Sequence, residues 1–182
     1  YDKLCENALI STGNNGRLER ALAKLEAGEN VNIAFLGGSI TEGASASKQS
    51  ECYVEQTVSN LKAMYPDADI NYVNAGVSGT PSALGIMRYQ RDIVGTFDDT
   101  PDILFIEFAV NDYQECTDGR AMESLIRQAL EADEKTAVCL LYSVSKSKWN
   151  VQDVSVPMGE LYGLPMVSLK DGTKEAFESG AL

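Results

Sequence analysis

The sequence has no histidine among its 182 residues. Imidazole is the one side chain whose ordinary pKa lies near neutrality. Acid–base chemistry in this chain therefore runs without it, or the imidazole is not in this chain. Cysteine is scarce: Cys5, Cys52, Cys116 and Cys139 are the whole supply. Four are too few to scaffold a chain of this length with disulfides, and the spacing does not decide between pairing and free thiols. It matches no zinc pattern either, so no metal and no other cofactor is expected. Positive charge is short, with 15 Lys plus Arg against 27 Asp plus Glu and a net charge of −12. Nucleic-acid binding needs basic side chains to neutralise phosphate, so no nucleic-acid partner is expected. No apolar run approaches the ~20 residues of a membrane span. The chain opens on Tyr1, with no charged segment leading into an apolar one. That points to a processed protein or an excised domain, secreted or at the cell surface.

What is present is a hydrophobic fraction of 44%. This suffices for a globular core and excludes general disorder. At roughly 150 residues per domain the length implies one domain. Short β-rich runs alternate with helical segments. Strands are expected at Val31–Leu36, Ile70–Val73, Asp102–Phe108, Thr136–Val144 and Pro165–Leu169. Arg17–Ala27 has Leu18, Leu22 and Leu25 on one helical face, and Glu51–Tyr65 has Val54, Val58 and Leu61. Thr80-Pro81 reads as an N-cap and a first-turn proline opening a helix to about Ile93. Helices are also expected at Arg120–Ala132, at Val151–Tyr162 (weaker, broken early by Pro157) and at Asp171–Ser179. Continuous apolar strands between amphipathic helices mean a parallel sheet covered on both faces. The expected fold is a three-layer α/β/α sandwich on a five-stranded parallel sheet, flavodoxin-like in strand order. The first sixteen residues read as an irregular lead-in.

In open α/β sheets, ligands sit beyond the carboxyl ends of the strands. Three loops there carry chemistry: Gly37-Gly38-Ser39-Ile40-Thr41-Glu42-Gly43, Asn74-Ala75-Gly76-Val77-Ser78-Gly79-Thr80, and Ala109-Val110-Asn111-Asp112. Each has a plain reading. A Gly-Gly-Ser turn is more often only a turn, though a Ser at a tight strand-to-helix turn is also how a nucleophile is exposed. Gly79 serves as the bend into a helix, or as a bare N–H facing a ligand. Asn111-Asp112 suits an Asx-type turn. Together they are less ordinary. Ser39, Gly79 and Asn111 make a nucleophile with two kinds of oxyanion donor.

These residues resemble the SGNH hydrolases, the group that includes the GDSL esterases. Gly38-Ser39 in GGSITEG matches the first family block, whose Ser is the nucleophile; Gly38 stands where many members have Asp. Gly79 in NAGVSGT matches the second block, and Asn111 in AVND the third. The match runs from about Val31 to Leu169. The resemblance implies a serine esterase in which Ser39 Oγ forms an acyl-enzyme. The oxyanion is then held by the Ser39 N–H, the Gly79 N–H and the Asn111 amide.

The family's fourth block, Asp-x-x-His, supplies the general base, and it is missing. Asp171-Gly172-Thr173-Lys174 has its outline with Lys in place of His. In the family, however, a short helix precedes the Asp/His loop, and here Asp171–Ser179 is that helix. Residues 1–182 are therefore expected to form a single SGNH hydrolase-like domain lacking its Asp-x-x-His segment. The base is then expected beyond Leu182, and the chain is expected to be nearly inactive alone. Lys174 reads as part of a solvated helix face.

No long apolar lid segment is visible, which disfavours long acyl chains. The wording of GGSITEG and NAGVSGTPS resembles secreted bacterial members acting on acetylated carbohydrate. The implied substrate is a small-molecule or polysaccharide ester, acetyl above all. Trp149 and Tyr113 follow strand ends and suit stacking on a sugar ring, or a structural role as partly exposed aromatics. Arg88 and Arg91 read as pairing with acids on a helix face. Two other readings stay open: a non-catalytic SGNH-like binding module, and a flavodoxin-like nucleotide or flavin binder. The absence of Lys or Arg from Gly37–Gly43 and Asn74–Thr80 counts against the second.

Overall fold

The runs of Val, Ile, Leu and Phe form a central sheet because each side chain along them has a buried face to enter. In the computed structural model, which describes residues 2–44, 46–114 and 117–180, the chain opens with α1 (Asp2–Ala8), β1 (Leu9–Ser11) and α2 (Gly16–Glu26). There follow β2 (Asn30–Gly37), α3 (Ser39–Glu42), α4 (Tyr53–Met64), β3 (Asp69–Gly76) and α5 (Ser82–Tyr89). A π-turn (Gln90–Val94) joins α5 to α6 (Gly95–Phe97), which leads to β4 (Ile103–Glu107). The last elements are α7 (Arg120–Ala132), β5 (Ala137–Tyr142), α8 (Gln152–Leu161), β6 (Met166–Ser168) and α9 (Leu169–Glu178). Cys116 lies outside the described residues.

The sheet runs β1-β6-β5-β4-β2-β3. From β2 to β6 the pairings are parallel. These five strands follow the flavodoxin-like order, with helices on both faces. Alternate residues of β2 enter opposite layers, as strand pleating requires. Ala34 and Leu36 join Leu104, Ile106, Leu140, Tyr89 and Leu125 on one face. Ile33 and Phe35 join Ile103, Cys139, Leu25 and Val54 on the other. Neither face of the central strands meets water, hence their unbroken apolar sequence.

Four expectations need correction. The sheet has six strands, not five. The first residues are not an irregular lead-in but α1 and an edge strand, β1, antiparallel to β6 with a register shift between Leu9 and Ser11. Three residues are too few to show alternation, so β1 owes its form to backbone pairing with β6 and α1 to packing on α9. Thr80 does not cap α5. Its hydroxyl turns back to the Val77 carbonyl at 2.8 Å, and Pro81 is the N-cap without a side-chain bond. The Ser82 N–H is taken instead by Asp112 Oδ1 at 2.8 Å. Pro157 does not break α8, which continues through it to Leu161. The carbonyl it leaves without an N–H partner belongs to Asp153, which is exposed and open to water.

Cys52 and Cys139 are buried and Cys5 is exposed, all three as free thiols. Burial pushes the Cys139 thiol up to about 12, so it behaves as a small apolar side chain. Leu125, on α7, has no exposed surface and packs against α5 and the sheet. Leu125→Ala should lower unfolding free energy by about 2–5 kcal/mol. Urea denaturation with an unchanged slope is the measurement that checks it.

Candidate functional site

β2, β3 and β4 end at one level because their register places Gly37 beside Gly76 on one side and Glu107 on the other. The three chemistry-bearing loops leave the sheet from this line. Ser39 opens α3 one residue past Gly38. Gly79 lies in the loop before α5, and Asn111 opens a 3-10 turn, Asn111–Gln114.

The loops are packed too closely for side chains at three glycines. A Cβ on Gly37 would overlap Thr41 Oγ1 and come within 2.6 Å of the Glu107 carbonyl oxygen. One on Gly76 would strike the backbone of Thr41 and Glu42, at 2.5 Å from Thr41 C. One on Gly38 would overlap the Asn111 carboxamide, with Nδ2 at 2.8 Å and Oδ1 nearer. The residue before Ser39 therefore lies directly against the Asn111 side chain. Gly79 differs: nothing stands within 4 Å of its missing Cβ, but its φ of +74° is left-handed. Its glycine is required by conformation.

Hydrogen bonds lock this arrangement. The Gly38 N–H donates to the Glu107 carbonyl at 3.3 Å. Asn74 Nδ2 donates to the Thr41 carbonyl at 2.8 Å. Glu42 Oε2 accepts from the Ser78 N–H at 3.0 Å and also from the Ser78 hydroxyl, tying α3 to the Gly79 loop. Arg88, expected to pair with an acid on its helix face, does so with Asp92 at 3.1 Å. It is also buried beneath the strand ends, where Nη1 donates to the Ala75 carbonyl at 3.0 Å and Nη2 to the Gly37 carbonyl at 3.3 Å. Arg91 is exposed and pairs with Asp92 at 2.5 Å.

Sequence reasoning missed Glu107, although an acid inside DILFIEF was a visible signal. Its side chain has no exposed surface. Oε1 accepts from the Ser143 hydroxyl at 2.5 Å and Oε2 from the Thr41 hydroxyl at 3.2 Å, while Tyr53 Oη lies 2.9 Å from Thr41 Oγ1. Burial raises the Glu107 carboxyl above the usual range; bonds from Ser143, Thr41 and the Ala109 backbone pull the other way. The polar chain continues outward. Asn150 Nδ2 donates to the Ser143 carbonyl at 2.7 Å and to Gln152 Oε1 at 3.0 Å, and Gln152 Nε2 donates to Asp171 Oδ2 at 2.8 Å.

Ser39 is partly exposed, and among the described residues no hydrogen bond to its hydroxyl is found. Nor does any described group accept from the Gly79 N–H. Lys174 is exposed on α9, as a solvated face requires. Among the described residues no three of Cys, Asp and Glu form a metal-binding group. No described helix is long and apolar enough to cross a membrane. A cavity of about 440 Å³ lies elsewhere. Its walls include Leu18, Phe35, Phe105 and Val167, and none of the three loops contributes to it.

A family model for GDSL-like lipases and acylhydrolases matches residues 35–166. A two-domain esterase active on acetylated mannans, crystallised with mannopentaose, is 34% identical. The match covers 97% of this chain and 48% of that one, with a TM-score of 0.90. An acetylxylan esterase of Geobacillus stearothermophilus is 29% identical over 96 residues, 48% of this chain and 42% of its own. The chain thus spans about half the length of these relatives. AlinE4, an SGNH-hydrolase family esterase, shares the fold at 18% identity and a TM-score of 0.60, with 81% of this chain and 79% of that one covered.

Glu107 holds its proton more tightly folded than unfolded. Its contribution to stability is therefore fully present below the ordinary carboxylate range and is lost as pH rises through its raised folded value. Glu107→Gln removes that titration. The stability of the variant relative to wild type should rise across this window, read as urea midpoints at stepped pH. A difference that stays flat with pH would contradict the assignment.

Proposed function

The chain belongs to the GDSL-like lipase/acylhydrolase family, and on that premise we propose that it hydrolyses short acyl esters, acetyl above all, on carbohydrate. The observation that carries this reading is the common level of three strand ends, which brings Ser39, Gly79 and Asn111 to one edge of the sheet. Two relatives act on acetylated polysaccharides, a mannan and a xylan esterase, and their likeness supports the substrate class. Such a substrate also suits work at the cell surface or beyond it.

In this reading Ser39 Oγ attacks the ester carbonyl carbon. The alcohol leaves as the acyl-enzyme forms, and water then releases the acid. The negative charge that develops on the carbonyl oxygen is met by the N–H groups of Ser39 and Gly79 and by the Asn111 amide. Donors fixed by the surrounding fold need little reorganisation during the reaction. The Gly38–Asn111 contact and the Glu42–Ser78 bonds hold these donors relative to the nucleophile.

Ser39 needs a base to take its proton. The 182 residues hold no histidine, so the reading assigns that role to a His, oriented by an Asp, outside them. Residues 1–182 then form one hydrolase domain completed by an Asp-x-x-His segment. Alone they should show only the acceleration that an oxyanion hole provides, on the order of 10³ over water.

The test is a protein extended to include that His. It should release acetate from acetylated oligosaccharides, and a fluorophosphonate should label it at Ser39. Ser39→Ala should abolish both. Asn111→Ala should lower kcat by about 10²–10³. An extended protein that neither hydrolyses the ester nor takes the label would leave a binding module without catalysis.

A further inference from the structure

The geometry points to a sugar-stacking subsite formed by Tyr113 and Trp149 beside Asn111, a site that takes one pyranose ring of an oligosaccharide. It rests on the carbohydrate-esterase reading above and names the residues that would hold the sugar.

Tyr113 comes two residues after Asn111 in the same 3-10 turn. Trp149 comes from the loop between β5 and α8. The ring centroids are 5.1 Å apart at 70°, edge to face, so the pair forms a corner. Both side chains are open to water, Tyr113 by 56% and Trp149 by 36%. Large aromatic rings left in water forgo a substantial burial gain, and here two do so together at the rim of the site.

The corner is held in place. The Val151 N–H donates to the Ala109 carbonyl at 2.9 Å, joining the Trp149 loop to the Asn111 loop. The Ser145 N–H donates to the Trp149 carbonyl at 3.0 Å, and the Trp149 N–H to Ser145 Oγ at 3.3 Å. Asn150, the next residue, is buried and anchored on the Ser143 carbonyl. A platform already fixed loses less conformational freedom when a ligand arrives.

Beside the corner lies a cleft of about 210 Å³, lined by Ala109, Asp112, Tyr113, Asp118, Met122 and Val151. Its chemistry suits a pyranose. The C–H groups on one face of such a ring are weakly positive and match the negative face of an aromatic ring. The hydroxyls on its rim need acceptors, and Asp118 offers an exposed carboxylate at the edge of the cleft. An acyl chain would gain nothing from those acids. A nucleotide phosphate would be repelled by them.

Trp149 is the single tryptophan of the chain, so its fluorescence reports on this corner alone. The chain is titrated with mannopentaose, with acetylated xylo-oligosaccharide and, as a control without a ring, with sodium acetate. A saturable change in emission is expected with at least one oligosaccharide and none with acetate, together with protection of Trp149 from acrylamide quenching. Tyr113→Ala should weaken half-saturation by about tenfold, the upper end for an aromatic contact. Tyr113→Phe keeps the ring and should retain the response, as should Ser39→Ala. Emission and quenching unmoved by either oligosaccharide overturn the subsite, whatever the variants do. So does a Tyr113→Ala curve that superimposes on wild type. Ester hydrolysis by the extended protein separates the two readings. Hydrolysis with a flat Trp149 titration removes the subsite and keeps the esterase. A saturable response without hydrolysis supports the subsite and removes the esterase.

Discussion

Everything at the site follows from how closely three backbones approach at the ends of β2, β3 and β4. Gly37 is flanked by Gly76 and Glu107, and α3 lies across them with Thr41 and Glu42 where side chains at positions 37 and 76 would stand. Glycine here is a requirement of packing rather than of dihedral angle. The missing Cβ atoms of Gly37 and Gly76 let a one-turn helix settle on the strand ends. That settlement brings the Ser39 turn against the Asn111 loop.

Polar groups buried beneath this junction keep it from sliding. Arg88 takes the carbonyls of Gly37 and Ala75, which gives two strand ends a shared donor. Glu107 holds α3 and its N-cap, through its carbonyl to Gly38 and through its carboxylate to Thr41. A buried acid and a buried guanidinium are expensive unless bonded, and here the bonds fall on groups that must not move. Two buried atoms at this junction, Arg88 Nε and Asn111 Oδ1, have no partner among the described residues, so even this network is not fully satisfied.

Much of this was legible in the sequence. The central strands could be read because burial on both faces leaves unbroken apolar runs. The three loops could be read because strand order places them at one edge. β1 could not, since three residues carry no period and their pairing with β6 is set at the far end of the chain. The cap of α5 could not, since Asp112 reaches Ser82 from another loop. Arg88 shows the same limit: its spacing to Asp92 gave the helix-face pair, while its bonds to Gly37 and Ala75 exist only after folding. Glu107 was visible as an acid in an apolar strand, but its partners Thr41 and Ser143 lie far away in sequence. Local pattern reports elements; long-range polar contacts require the assembled sheet.

The place of β1 has a consequence for how the protein is made. Leu9 pairs with Val167, and α1 packs on α9, where Gly172 brings the two helices together. Within residues 2–180, a segment made early thus has its partners in one made much later. α1 and β1 must wait, unpaired, while the rest of the sheet is synthesised and folds. Their docking closes a loop that encloses the other four strands, a costly long-range contact. Until then the outer edge of β6 is open to strands from other chains, and crowding during synthesis is when that edge is most exposed to mispairing.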